Sequence, residues 1–371
     1  MLMLLRRLKK AIINYSKSSW DLKTSQFVPS NQQRFLLDDA WKPKWAFKYL
    51  KRKLYMQCLG QAKREISNIP AAAKNILWIN LSAPSLGDSL MDLSARQMLV
   101  GFNVDLLTDK KNISLYQGDP FFRNTYSDRD DISIEWSLYD LVILDSYSPR
   151  FLKIKAEKIP NTPFVGMWGF VNGFEVHRTL YSFYRMDFLL NGLGAISKLK
   201  PIIKTPDFFD AGLDNKKKKI ALVVGAEWNY RRYAHWAQVV AGIFQEYGTD
   251  FEVVLVGSAN GSEDAGGISS RFIHCESFVG KCTLSQTASL IQQSDLVIAA
   301  DGGLWHLACA LNKPSVVLFA NTEIFDESGA RVTRETQDIC CEVLYADKNV
   351  SEIKSDEVLS ALKHLVSKTK L

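Results

Sequence analysis

The sequence predicts an α/β chain of two parallel-sheet domains, and three observations carry that expectation. Mainly apolar runs recur as strands: Ile76–Leu81, Val104–Leu107, Tyr139–Asp145, Ile220–Val224, Phe251–Val256 and Leu296–Ala300. Stretches with apolar residues at helical spacing alternate with them, which argues for parallel sheets covered on both faces. Between the two series, Pro201–Lys219 holds prolines, a glycine and the run Lys216–Lys219, and reads as a linker.

The most informative element is Ser294–Phe319. The strand Leu296–Ala300 breaks at Asp301-Gly302-Gly303, and a helix follows with Leu304, Leu307, Ala308 and Leu311 on one face. Asn312 and Pro314 end it before a second strand, Val316–Phe319. Two glycines at a strand-to-helix turn let backbone approach a ligand, and the unbonded N–H groups of the helix start favour an anion such as a diphosphate. His306, in the first helical turn, adds a donor. Tight turns of this kind are also plain architecture in doubly wound domains, and the turn alone leaves both readings open.

The first domain opens at Asn75. Its first strand leads through Ser82–Asp88 to a helix expected through Leu90, Leu93 and Met98. Asp88 sits at the carboxyl end of the sheet, where open α/β folds bind ligands, and Gly87 before it leaves room for a substrate hydroxyl. Capping the helix is the alternative use of that carboxylate. The aromatic segment 153–200, with Trp168, Phe170, Phe174, Tyr181, Phe183 and Tyr184, lines an acceptor site or closes a core. In the second series Arg231 and Arg232 follow the strand Ile220–Val224, placed to hold a diphosphate or to sit as surface charge. The loop Gly257–Glu263 follows the next strand. Thr283–Gln286 has the form of a capping box for a helix to Gln293, and Ser355-Asp356-Glu357 caps a last amphipathic helix.

Charge is unevenly placed. Residues 1–75 hold sixteen Lys or Arg against four Asp or Glu, a net +12, while the remainder carries −6. Leu4, Leu5, Leu8 and Ile12 share one helical face among Arg6, Arg7, Lys9 and Lys10, as in a helix lying on an anionic membrane. Trp41–Tyr55 interleaves aromatic and basic residues, suited to a membrane interface, to packing on the core by its aromatic face or, as a weaker reading, to a nucleic acid. No apolar run is long enough to span a bilayer, and the start lacks a signal-peptide core. The six cysteines show no zinc spacing and are expected as reduced, mostly buried thiols of a cytoplasmic protein. Asp128-Arg129-Asp130 is taken as an acidic loop, not a metal site.

These residues resemble a known family. SDLVIAADGGLWHLACALNKPSVVLF is similar to the heptosyltransferase (glycosyltransferase family nine) signature D-[ST]-G-x-x-H-L-A-A-A-L-x-x-P. Ser85-Leu86-Gly87-Asp88 resembles the family's S-x-G-D loop, Gly225–Trp236 its Lys/Arg-then-Trp-Pro loop, and Gly280–Leu284 its G-K-x-S-L. The resemblance runs in order from about Asn75 to Ala320.

It implies a GT-B architecture, two Rossmann-like domains facing across a cleft; the basic, aromatic helical extension over 1–74, read from its charge and aromatic pattern, is absent from the simplest members of the family. The acceptor domain is expected over 75–200, the linker over 201–219, the nucleotide-sugar domain over 220–350 and a C-terminal helix over 351–371. It implies an inverting, metal-independent transfer of heptose from ADP-heptose to a sugar of the lipopolysaccharide core, with no cofactor. Asp88 is then the general base, with Ser85 and Gly87 on the acceptor-side loop. Asp301, Gly302, Gly303, Leu304 and His306 surround the sugar nucleotide, Arg231 meets the phosphates, and Glu263 meets the ribose. The implied partners are the nucleotide sugar, a lipid-linked oligosaccharide and the inner face of the membrane, with no nucleic acid. Gly302 departs from the family's Ser or Thr, and Tyr233-Ala234 from its Trp-Pro. A different donor, a protein acceptor or a non-catalytic binder are the alternatives these departures leave.

Overall fold

The computed structural model describes residues 6–8, 10, 11, 43–81, 85–169, 178–192, 203, 208–214, 216–320 and 340–371, the side chains of 43–46 and 180 excepted. Contacts among them group Ser85–Leu90, Ser114–Asp119 and Lys200–Leu371 into one compact unit and the other described residues into a second.

In the N-terminal unit, β1 (Asn75–Asn80), β2 (Asn103–Thr108), β3 (Asn124–Tyr126), β4 (Leu141–Ser146) and β5 (Phe164–Gly169) form a five-stranded sheet in the order β3-β2-β1-β4-β5. Every pair is parallel. Trp78 at the centre of β1 lies opposite Leu106 on one side and Ile143 on the other. Ile76, Leu77, Trp78 and Ile79 have no exposure, as expected of a strand covered on both faces. Helices α1 (Pro43–Cys58), α3 (Pro149–Lys158) and α4 (Arg178–Leu189) accompany the sheet, while α2 (Leu86–Asp92), which follows β1, groups with the C-terminal unit as far as Leu90.

The basic segment resolves into two faces. Tyr49 and Met56 of α1 enter the core formed with Leu77, Val142, Phe151 and Phe164, and Arg52 donates to the Gly169 carbonyl at 3.0 Å. Phe47 and Leu54 stay 64% and 57% exposed, beside exposed Lys48 and Lys51. Core packing therefore claims one face of the aromatic-basic helix and leaves the other. Leu8, Lys10 and their described neighbours are exposed, while Leu4, Leu5 and Ile12 lie outside the described residues, as do Trp41, Phe170 and Phe174.

Two expectations are corrected here, for the helix after β1 and for the cysteines, and the choice left open for the aromatic segment is decided. The helix after β1 begins at Leu86, so Gly87 and Asp88 lie inside its first turn, and it stops at Asp92. Asp92 is a buried anchor, taking Arg178 Nε at 2.9 Å and Trp168 Nε1 at 3.1 Å, and Ser94–Met98 continues as a tighter turn. The aromatics Trp168 and Tyr181 stack at 4.1 Å while Phe183 and Tyr184 are buried, which is core packing. Of the six cysteines only Cys275 and Cys309 are buried, and Cys58 is exposed. In the acidic loop Asp130 is exposed and pairs with Lys158 at 2.5 Å.

In the C-terminal unit, β6 (Lys218–Val223), β7 (Phe251–Val256), β8 (Cys275–Ser277), β9 (Leu296–Ala300), β10 (Ser315–Ala320) and β11 (Cys341–Ala346) form a six-stranded sheet, β11-β10-β9-β6-β7-β8, again parallel throughout. Lys218 and Lys219, read as linker, open β6, and Lys219 Nζ is tied to the Asp214 carbonyl at 2.7 Å. Helices α5 (Trp236–Tyr247), α6 (Ser262–Ser269), α7 (Leu284–Gln293), α8 (Gly303–Ala310) and α9 (Ser355–Thr369) follow. The capping box at Thr283 forms as expected, with Gln286 N on Thr283 Oγ1 at 3.2 Å and Thr283 N on Gln286 Oε1 at 2.9 Å. At α9 the cap lies one residue earlier than expected, because Glu357 takes the amide of Lys354 at 2.8 Å and draws Ser355 into the helix. Asn312, in the left-handed region at φ 57°, ends α8.

Each sheet reverses direction once. In the first, β1 has β2 on one side and β4 on the other; in the second, β6 has β7 on one side and β9 on the other. Ligands of open parallel sheets bind outside the carboxyl ends of strands at such a reversal. Ser85–Asp88 follows β1, Arg231 follows β6 and Asp301 follows β9.

One buried carboxylate pins the edge of the first sheet. Asp105 on β2 receives Arg123 through Nε at 2.9 Å and Nη2 at 2.8 Å, the Tyr139 hydroxyl at 2.8 Å and the Asn124 amide at 3.1 Å. Burial, and then the hydrogen bond to Asp105, push the Tyr139 phenol well above its ordinary range. Asp105→Ala strands these donors and is expected to cost about 3 kcal/mol, the low end for a broken buried pair because Arg123 keeps some contact with water. Urea unfolding checks this, and a Tyr139→Phe protein measured alongside should lose about 1 kcal/mol.

Candidate active site

The C-terminal unit gathers most of the residues singled out in the sequence. Asp301 follows β9 and Arg231 lies in the short turn Asn229–Arg231 after β6, so two adjacent parallel strands deliver them to one place. Arg231 Nη2 pairs with Asp301 Oδ2 at 2.9 Å. His306, in the first turn of α8, is buried and puts Nε2 3.8 Å from Asp301 Oδ1, beyond hydrogen-bond reach. The guanidinium of Arg231 stands 5.3 Å from the Tyr230 ring, whose neighbour Trp228 stacks at 6.5 Å and is 57% exposed.

The two glycines of the turn differ in role. Gly303 starts α8 where a Cβ would stand 2.9 Å from the Leu86 Cβ, so it is required by close packing. At Gly302 the backbone is extended and a Cβ would meet nothing nearer than the Ala300 carbonyl oxygen at 3.8 Å, so a larger residue fits. The departure from Ser or Thr there is therefore not forced by space. Leu304 follows in the first turn, half-buried, with its backbone N–H among those ahead of the helical ladder.

Against this turn lies the start of α2. Ser85–Leu90 clusters with the C-terminal unit, and a Cβ on Gly87 would come within 2.5 Å of His306 Cδ2. Glycine at 87 thus serves contact between two helix starts, and that contact brings Asp88 next to the Asp301 turn. Asp88 is half-buried. Its Oδ2 accepts the Ser85 hydroxyl at 2.9 Å, and the Ser85 Oγ accepts the Asp88 amide at 3.3 Å. Ser85 therefore caps the turn and orients the carboxylate at once.

Glu263 is exposed in the first turn of α6, after β7, one strand further along the sheet. Its loop is pressed onto the Arg231 loop. At Gly261 a Cβ would lie 2.6 Å from the Val224 carbonyl oxygen, Gly225 is left-handed at φ 85°, and Asn260 Nδ2 donates to the Ala226 carbonyl at 2.9 Å. Arg232 turns away to the Asn260 carbonyl at 3.0 Å and to Asp264 at 3.3 Å, as a surface charge does. Ser351 closes the far side of the loop: its hydroxyl donates to the Arg232 carbonyl at 2.9 Å and accepts the Ala234 amide at 3.0 Å. Neither the Trp228-Tyr230 pair nor the Ser351 clasp was singled out in the sequence. The W-x-Y-R spacing was the available signal for the first, and nothing local announces the second.

Two Rossmann-like sheets, each carrying loops at its reversal point, define the GT-B class of glycosyltransferase folds. Residues 199–354 match the family model of glycosyltransferase family 9 (heptosyltransferase). Lipopolysaccharide heptosyltransferase 2 of Salmonella typhimurium is 29% identical over 118 residues, 30% of this chain and 33% of that protein. The Escherichia coli protein of the same name is 29% identical over 115 residues, 29% of this chain and 32% of its own length. The chain thus spans about a third of the length of the curated relatives it matches. Among solved structures, E. coli ADP-heptose lps heptosyltransferase II aligns over 80% of this chain and all of its own, with a TM-score of 0.59 at 19% identity. The glycosyl transferase family 9 protein from Veillonella parvula covers 82% of this chain and 100% of its own, with a TM-score of 0.64 at 16% identity. At these identities the likeness is one of fold.

The contact at Gly87 can be tested by sign. Glycine to alanine within a helix normally gains up to about 1 kcal/mol. Gly87→Ala should instead cost about 1–3 kcal/mol, because its methyl meets the His306 ring. In a His306→Ala background the same substitution should become neutral or stabilising, read by chemical denaturation of the four proteins of the cycle.

Proposed function

We propose that the chain is an inverting glycosyltransferase that uses no metal and transfers heptose from ADP-heptose to a sugar of a lipopolysaccharide core. The observation that carries this reading is the convergence of Arg231, the Gly303 helix start and His306 on one side with the Asp88 carboxylate on the other. Inversion in one displacement needs those two functions. A base takes the proton of the acceptor hydroxyl as its oxygen attacks the anomeric carbon from the face opposite the leaving group. Donors on the other side take up the charge of the departing diphosphate. Asp88 is the base, held in position by Ser85, and Arg231 with the free amides of α8 meets the diphosphate. The cation and the helix start supply the electrostatic role that a divalent ion fills elsewhere, which is the reason for proposing transfer without one. Glu263 is assigned to the ribose from its position on the next loop.

ADP-heptose is named because the curated relatives are lipopolysaccharide heptosyltransferases and a structural neighbour is the E. coli ADP-heptose lps heptosyltransferase II. A lipid-linked acceptor also gives the outward face of α1 a use. Phe47 and Leu54 with Lys48 and Lys51 are suited to an anionic bilayer on the cytoplasmic side.

Thermal unfolding with ADP-heptose, UDP-sugars and GDP-sugars should show stabilisation by ADP-heptose and ADP. A preference for a uridine or guanosine donor would replace the donor and keep the chemistry. Asp88→Asn should retain donor binding and lose roughly 10²- to 10⁴-fold in turnover. An unchanged rate would remove Asp88 from the base role. Flotation with phosphatidylglycerol vesicles should fall in a Phe47→Asp, Leu54→Asp protein and in high salt, whereas binding indifferent to both would dismiss α1 as the membrane face.

A further inference from the structure

We propose that Asp301 discriminates between donor and product, lowering the affinity for the free nucleoside diphosphate more than for the intact sugar nucleotide. The inference rests on the reading of the site as a sugar-nucleotide site and concerns what one carboxylate is doing there. An anion site is assembled from positive and neutral donors, yet this one holds a fixed negative charge. Asp301 Oδ2 occupies Arg231 Nη2 at 2.9 Å, and Oδ1 stands 3.8 Å from His306 Nε2. These are the two side chains assigned to the diphosphate, so phosphate and carboxylate draw on the same donors.

The geometry keeps the carboxylate there. Asp301 follows β9 with its backbone amide bonded to the Leu318 carbonyl at 2.9 Å, and Gly303 behind it is locked against Leu86. Arg231 is held on its other side by the Tyr230 ring, and its buried Nε has no hydrogen bond among the described residues. The guanidinium therefore serves the phosphate and Asp301 from one fixed place.

The charge balance of the reaction gives this arrangement a direction. In the sugar nucleotide the two phosphates carry two negative charges. On transfer, the acceptor oxygen bonds to the anomeric carbon and the bond from that carbon to the terminal phosphate oxygen breaks. The electron pair stays on the phosphate, which gains a further negative charge, while the acceptor proton passes to the base. A fixed carboxylate beside Arg231 opposes the product's third charge and has no counterpart to oppose in the donor. For one added charge about 6 Å away in a partly wet site, Coulomb's law puts the discrimination on the order of tenfold. Asp301 is by this account a specificity residue that speeds departure of the diphosphate, returning to Arg231 as it leaves.

Calorimetric titration of the wild-type chain and Asp301→Asn with ADP, UDP and GDP, each beside a corresponding sugar nucleotide, tests this. Asparagine should tighten the free diphosphate more than the sugar nucleotide, the ratio of the two gains being on the order of tenfold. Asp301→Ser, with thermal unfolding to establish its fold, should shift the ratio in the same direction. A diphosphate affinity that is unchanged or weakened, or gains of equal size for both ligands, would overturn the proposal while leaving the site reading intact. If none of the three diphosphates binds either protein, the sugar-nucleotide reading fails and this inference falls with it.

Discussion

The site depends on a place where two helix starts meet, each offering a glycine to a side chain of the other. Gly303 admits Leu86, and Gly87 admits the edge of His306. A methyl group at either position would force the backbones apart, and Asp88 would leave the neighbourhood of Asp301 and Arg231. The polar chemistry is thus set by steric exclusion. Dispersion and packing fix the backbone, and the charged groups arrive as passengers on it.

The sheets explain why this meeting occurs at strand ends. A parallel strand needs a crossover to reach its neighbour, and where the crossovers change direction two loops diverge and leave backbone amides uncovered. In the C-terminal sheet that point lies between β6 and β9, the strands preceding Arg231 and Asp301. The pairing of those two residues is therefore a property of strand order, and their separation in sequence is immaterial.

Much of this architecture was legible from the residues. The buried runs Leu77–Ile79 and Leu296–Ala299 declared themselves by unbroken hydrophobicity, and Thr283 with Gln286 announced a helix start that formed as read. Local rules failed where tertiary partners decided. Asp92 stops α2 because Arg178 and Trp168 reach it from far along the chain, and Glu357 moves the cap of α9 by one residue. In the site, the turn glycines were visible but their difference was not, since only the position of Leu86 tells Gly303 from Gly302. The ion pair of Arg231 with Asp301 was hidden for the same reason: both were recognised as ligand residues, and no spacing rule says that they touch.

Ser351 gives the chain end a mechanical part in the site. Its hydroxyl and carbonyl hold Arg232, Ala234 and His235, the residues immediately after Arg231, and α9 begins four positions later with Leu362 and Leu365 in the core. The last helix thereby splints the loop that carries the cation. Nothing in its composition suggests a part in the site, yet loosening it would release the loop, so substitutions along its buried face would be felt at Arg231 as well as in the stability of the fold.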